Sequence, residues 1–158
     1  MASPMQLPDF LDFDSIRTNL SAGNKRSLLQ QISNLAGNKL ALSGADILAS
    51  VSEREKLGST GFGNGVAIPH GKIEGLDRIY CLFARLAEPV DYKAIDGRPV
   101  DLVFLLLSPP DAGGEHLKAL AAISRVTRHD AILEKMRGAR SPDALAAVLI
   151  GAHERETV

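Results

Sequence analysis

The chain has 158 residues, 45% hydrophobic and 23% charged, the balance of a globular domain rather than of a disordered segment. Lys plus Arg number 18 against 19 Asp plus Glu, so a formal net charge of −1 excludes the basic excess of a general nucleic-acid binder. With no Trp, 2 Tyr and 5 Phe there is no base-stacking platform, and a single cysteine, Cys81, excludes an internal disulfide and any multi-cysteine metal site.

Residues 1–15 read as a loosely held lead-in; they carry Asp9, Asp12 and Asp14 and lack the basic start of a signal peptide. From Asn24, apolar residues at Leu28, Ile32, Leu35 and Ala36 recur at helical spacing, and Gly37-Asn38 is the expected stop. A second helix is expected after the N-cap Ser43, carrying Ile47, Leu48 and Val51 and ending at Gly58. Residues 58–65 form a glycine-rich turn, and 66–68 a short apolar strand that Pro69 ends or leaves at an edge. Stretches 79–86 and 100–107 are rich in β-branched, aromatic and aliphatic residues and predict strands, separated by a turn at Asp96-Gly97 and Pro99. The run 102–107 is apolar on both faces, as a central strand covered on each side must be. Helices follow over 115–128, 130–137 and from Ser141-Pro142-Asp143 onward, where serine caps and proline takes the first helical position.

The expected fold is α/β, a three-layer domain with a small mixed sheet flanked by helices. No repeat or Pro/Ser-rich linker divides the chain, so residues 1–158 are expected to form one domain with a core at about 13–151. The longest apolar runs, 102–107 and 144–150, fall well short of the roughly 20 residues that span a bilayer, so no membrane insertion and a cytoplasmic location are expected.

Several chemistries lose their usual sequence support. Gly71-Lys72 is followed by Ile73, so no Walker A loop forms, and glycines 61, 63 and 65 do not complete a dinucleotide fingerprint because residue 66 is Val. Gly58-Ser59-Thr60-Gly61 is one residue short of a nucleophile elbow, and no His-Glu-x-x-His occurs.

What remains is the run 61–71, ending Pro69-His70-Gly71. Proline restricts the backbone ahead of His70, glycine permits close approach behind it, and histidine is a neutral nucleophile near physiological pH. The residues alone leave two readings open: a nucleophile, or an ordinary turn histidine after a strand. Arg54 continues the helical stripe of Ile47 and Val51, where a guanidinium either meets an anion or reaches out to solvent. His116 falls in the first turn of the 115–128 helix, where an anion is favoured, although a satisfied core or cap histidine fits the same position. A nucleophilic imidazole, a guanidinium and a second imidazole together suit a transferring phosphoryl group. Ser59 and Thr60 are candidate phosphate-binding hydroxyls or simple turn residues. Lys72 reads as a surface charge, Cys81 as an inert buried thiol, and His129 and His153 receive no role.

The stretch from Glu55 through Phe62-Gly63 to Val66-Ala67-Ile68-Pro69-His70-Gly71 resembles the active-site signature of type-2 IIA proteins of the bacterial phosphotransferase system. These are the mannitol/fructose IIA proteins and their nitrogen-regulatory relatives, and the resemblance extends over about 13–151, including Val103-Phe104 and Glu115-His116-Leu117. It implies that His70 accepts a phosphoryl group, on Nε2, from a small histidine-phosphorylated phosphocarrier protein of the HPr kind. It also implies that Arg54 and His116 are the supporting residues, and that neither metal nor cofactor is required. Because the chain shows no fused transport domain, the nitrogen-regulatory branch is favoured, with regulatory targets such as a sensor kinase or potassium-transport proteins. A sugar-uptake IIA component and a non-phosphorylated binding module are the alternatives. Phe62, Val66 and Ile68 are expected to form an apolar rim against the partner, with the opposite possibility that the Phe62 ring fills the core.

Overall fold

The computed structural model describes residues 5–156, with side chains described through residue 151. In chain order, a 3-10 turn (Leu7–Asp9) precedes β1 (Leu11–Leu20), α1 (Lys25–Leu40) and α2 (Gly44–Lys56). Three short strands follow: β2 (Gly61–Gly63), β3 (Val66–Ala67) and β4 (His70–Lys72). The long strands β5 (Tyr80–Val90) and β6 (Val100–Ser108) come next, then α3 (Gly114–Thr127), α4 (Asp130–Gly138) and α5 (Pro142–Glu156). The six strands form one mixed sheet in the order β1-β5-β6-β3-β2, with β4 also paired to β6.

Helices cover both faces of this sheet, as expected. Leu102, Phe104 and Leu106 of β6 pack with α3, α4 and α5 residues such as Ile123, Met136 and Leu149. Val103, Leu105 and Leu107 pack on the other side with Leu28, Ile32, Ile47 and Val51 of α1 and α2. All six β6 side chains are fully buried, each contributing about 1.5–3 kcal/mol by leaving water.

The lead-in expectation is corrected. Residues 11–20 form an edge strand parallel to β5, and Leu7 and Leu11 are buried in the core. Its pairing is irregular: Leu11 faces Cys81 and Ile16 faces Phe83, so five residues of β1 advance against two of β5. A bulge of that size destroys the period of two that reveals a strand, while bulges and charges protect the exposed edge. The helix stop at Gly37 is also corrected. α1 continues to Leu40 and closes with Ala41 in the left-handed conformation (φ 56°). Gly37 lies inside the helix because a Cβ there would come within 2.8 Å of the Leu42 carbonyl oxygen and 2.9 Å of the Gly44 nitrogen.

The caps at Ser43 and Ser141 form as read, their side-chain oxygens accepting from the backbone N–H of Asp46 (3.2 Å) and Ala144 (3.0 Å). Pro69 interrupts a strand without ending it. Val66 pairs with Leu102 and His70 with Leu106, so the chain keeps one register against β6 on either side of the proline. That register delivers His70 to the sheet.

Candidate functional site

His70 opens β4 opposite Leu106, and the position behind it lies close against the Ser50 side chain. A Cβ on Gly71 would meet the Ser50 hydroxyl of α2 at 2.5 Å, so glycine lets the helix close against the strand and bring its C-terminal turn to the site. Upstream, Asn64 and Gly65 take positive φ (58° and 80°) in the tight turn between β2 and β3.

The His70 ring is 8% exposed, and its Nδ1 lies 2.8 Å from the Ile68 carbonyl oxygen. A carbonyl only accepts, so Nδ1 carries the proton and donates it, which leaves the Nε2 lone pair unprotonated. Burial, and secondarily the positive field of Arg54, outweigh the opposing Ile68 bond and Glu55 charge and hold its pKa below the ordinary histidine value. The ring is therefore neutral at physiological pH.

His116, in the first turn of α3, places its ring centroid 5.2 Å from that of His70, the planes tilted by 53°. Its Nδ1 is 2.6 Å from the Ser108 hydroxyl at the end of β6. Ser108 is fully buried and its hydroxyl has no other hydrogen-bond partner among the described residues, so its hydrogen goes to Nδ1 and Nε2 of His116 keeps the ring proton. Burial and the neighbouring His70 and Lys72 push the pKa of His116 down to about 4. The two imidazoles are thus opposite neutral tautomers: His70 offers a lone pair at Nε2, and His116 offers an N–H.

Arg54 comes from the last turn of α2 and is half-buried, its Nη1 donating to the Gly58 carbonyl at 2.8 Å. Its charge is felt at His70. The site therefore brings together His70, Arg54 and His116 from a strand and two helices on opposite faces of the sheet. A neutral imidazole lone pair beside a guanidinium and an imidazole N–H is suited to attack at an electrophile carrying anionic oxygens.

The outer candidates divide. Phe62 is 50% exposed, so its ring does not fill the core. Val66 and Ile68 are 2% and 1% exposed and belong to the core beneath α3 and α5, which corrects their placement on a rim. The apolar residues that do project from segments bounding the site are Leu57, after Arg54, Ile95, whose N–H bonds the Gly61 carbonyl at 2.9 Å, and Leu117, beside His116. Thr60 is fully buried and its hydroxyl donates to the Glu55 carboxylate, which corrects its reading as a phosphate-binding hydroxyl. Ser59 is half-buried and accepts from the Gly61 N–H at 3.1 Å. Cys81 is fully buried, and burial raises its pKa. His129 precedes α4, and His153 lies outside the residues whose side chains are described. No group of three or more metal-ligating side chains occurs among the described residues.

Ser108, Glu55 and Tyr92 are further residues beside the site. Glu55 stood within the signature stretch, and nothing in the local sequence marks the other two.

The fold is that of the IIA proteins of phosphotransferase systems. Residues 9–151 match the model of the phosphoenolpyruvate-dependent sugar phosphotransferase system EIIA 2 family, and the chain belongs to that family. Among its relatives, a nitrogen regulatory protein of Bradyrhizobium diazoefficiens is 43% identical over 145 residues, covering 92% of this chain and 95% of its own. The nitrogen regulatory protein IIA-Ntr of Neisseria meningitidis matches with a TM-score of 0.84 at 38% identity, over 89% of this chain and 97% of that one. Enzyme IIA-mannitol of Escherichia coli, solved in complex with phosphorylated enzyme IIB-mannitol, shares the fold. Its TM-score is 0.74 at 18% identity, over 87% of this chain and 95% of that one. No helix among the described residues is long and apolar enough to cross a membrane.

Proposed function

We propose that this chain is the phosphohistidine carrier of a nitrogen-regulatory phosphotransferase branch, working in the cytoplasm as one domain over residues 1–158. The observation that carries this reading is the His70 Nδ1–H bond to the Ile68 carbonyl, which leaves Nε2 as the free nucleophilic nitrogen. The donor is the phosphohistidine of a small phosphocarrier protein. The Nε2 lone pair forms the new N–P bond while the donor's N–P bond breaks, and the donor imidazole leaves with that electron pair. The His70 ring gains positive character, spread toward the Nδ1–H that Ile68 holds. The Arg54 guanidinium and the His116 Nε2–H stabilise the phosphoryl oxygens, and Ser59 remains available as a further hydroxyl. Similar N–P bonds are exchanged, so the step requires no metal.

Regulation follows from charge at a docking face. The bound phosphoryl group adds roughly two negative charges to a surface rimmed by Phe62, Leu57, Ile95 and Leu117. A partner seated there, such as a sensor kinase or a potassium-transport protein, distinguishes the two forms without a change of fold.

The test is incubation with phosphoenolpyruvate and purified donors of the nitrogen and the sugar branches. Faster labelling by the nitrogen-branch donor supports the reading; preference for the sugar-branch donor moves the chain to sugar uptake. The adduct is expected to be acid-labile and alkali-stable and to disappear in a folded His70→Ala variant; label mapping to His116 overturns the assignment. Arg54→Ala and His116→Ala are each expected to lower the single-turnover rate by about 10² to 10³.

A further inference from the structure

One buried carboxylate beside the site takes no part in the chemistry above. Glu55 follows Arg54 in the last turn of α2, and its side chain is 7% exposed. A carboxylate so far removed from water is unfavourable unless it is paired and hydrogen-bonded. Lys25 Nζ of α1 meets Oε2 at 2.9 Å, the Tyr92 hydroxyl donates to Oε1 at 2.9 Å, and the Thr60 N–H lies 3.3 Å from each oxygen. The Thr60 hydroxyl also donates to Oε1. Lys25 lies 4.2 Å from the centroid of the fully buried Tyr92 ring. Burial alone raises the pKa of Glu55, but the bonds from Thr60, Lys25 and Tyr92 carry it below the ordinary value, so the carboxylate is ionised.

From Thr60 the bonding continues to the nucleophile. The Thr60 carbonyl accepts from the Ile68 N–H at 2.9 Å, and the Ile68 carbonyl accepts the Nδ1 proton of His70 at 2.8 Å. Thr60 is therefore clamped on one side by Glu55 and on the other holds the residue that orients the imidazole. Through space, Glu55 favours positive charge on His70 while Arg54 opposes it. The remaining charged or titratable neighbours are His116 across the site and Lys72 on the strand, whose field reaches His116.

We propose that Glu55 is a positioning residue for His70: through Thr60 and Ile68 it sets the orientation and tautomer of the imidazole, and its charge offsets that of Arg54 as the ring becomes cationic on bonding phosphorus. The inference rests on the phosphoacceptor role assigned to His70 above. A single arrangement then explains why a carboxylate, a lysine, a tyrosine and a threonine share one cluster beside the site.

Glu55→Gln and Lys25→Met test this in the full chain. The first keeps an acceptor for Thr60 and removes the charge; the second removes the cation and leaves the carboxylate on Thr60 and Tyr92. The measurements are a 15N NMR titration of the His70 ring in the unphosphorylated protein, single-turnover transfer from the phosphorylated phosphocarrier, and thermal unfolding. Glu55→Gln is expected to move the His70 pKa further down and Lys25→Met to move it up, since each leaves the opposite charge uncompensated. Transfer to Glu55→Gln should slow roughly ten- to hundredfold, by analogy with the loss when the orienting partner of a metal-bound imidazole is removed. A merely structural role produces no opposed pair of shifts. Unchanged or same-sign shifts in two folded variants overturn the proposal. Should Glu55→Gln fail to fold, Lys25→Met alone decides, and an unmoved His70 pKa overturns it. A wild-type protein that takes no phosphate at His70 defeats the proposed function instead, and the NMR titration still decides whether Glu55 governs the imidazole.

Discussion

His70 gives its Nδ1 proton to the Ile68 carbonyl at 2.8 Å, whereas His116 receives a proton at the same ring atom from Ser108 at 2.6 Å. The first partner can only accept and the second is buried with one place to send its hydrogen, so the protein sets two tautomers with one backbone oxygen and one hydroxyl. Ser108→Ala should therefore leave His116 Nδ1 as a buried acceptor without a donor, a loss of about 1–3 kcal/mol. The His116 ring should then turn partly to the Nδ1–H form, visible in its 15N shifts, and transfer to His70 should slow. Ser108→Thr, which keeps the hydroxyl, should restore both. An unchanged tautomer in the alanine variant would show that the hydroxyl is not the donor.

At the scale of elements, two glycines permit close approach and one short strand presents an exposed ring. Inside a helix, glycine to alanine normally stabilises by about 0.5–1 kcal/mol. Gly37→Ala in α1 should do the reverse, by about 1–3 kcal/mol, because the added methyl meets backbone of the α1–α2 connection at 2.8–2.9 Å. Urea unfolding at constant m-value reads the sign. Gly71 follows the same logic against α2, where the obstacle is the Ser50 hydroxyl. On β2, Phe62 is half out of the fold, so Phe62→Ser should change thermal stability little while slowing phosphoryl transfer from the donor protein. A large fall in melting temperature would return the ring to the core and remove it from the docking face.

For the whole molecule, the two buried imidazoles tie stability to acidity. Both have folded pKa values below the unfolded value of 6.5, so the unfolded chain binds more protons and stability rises with pH through that window. As the pH falls below 6.5, folding should weaken, and the share owed to His116 should be lost progressively until about pH 4. That share is on the order of 3 kcal/mol. Thermal unfolding from pH 7.5 to 4 should show the loss, and His116→Asn should flatten it; an unchanged slope would mean that His116 titrates alike in the folded and unfolded chain. The same burial keeps His70 unprotonated, so the transfer rate should fall on the acid side as its lone pair is lost.

The sequence by itself determined the layered class of the fold, the central strand and the helices on either side. Continuous apolar character over 102–107 and helical spacing elsewhere are local signals that burial alone produces. It also marked His70, Arg54 and His116, since Pro-His-Gly and the position of each residue within its element are written in consecutive residues. Tertiary structure decided the rest. β1 escaped notice because its bulged pairing with β5 removes the alternation, and Gly37 misled because its glycine answers to a neighbouring turn rather than to a helix end. Val66 and Ile68 passed for a rim because alternation tells which residues share a face and not which layer covers it. The protonation pattern depended most on the fold. Ser108 reaches His116, and Lys25 and Tyr92 reach Glu55, from scattered positions, and only the folded sheet and helices bring them within hydrogen-bonding distance.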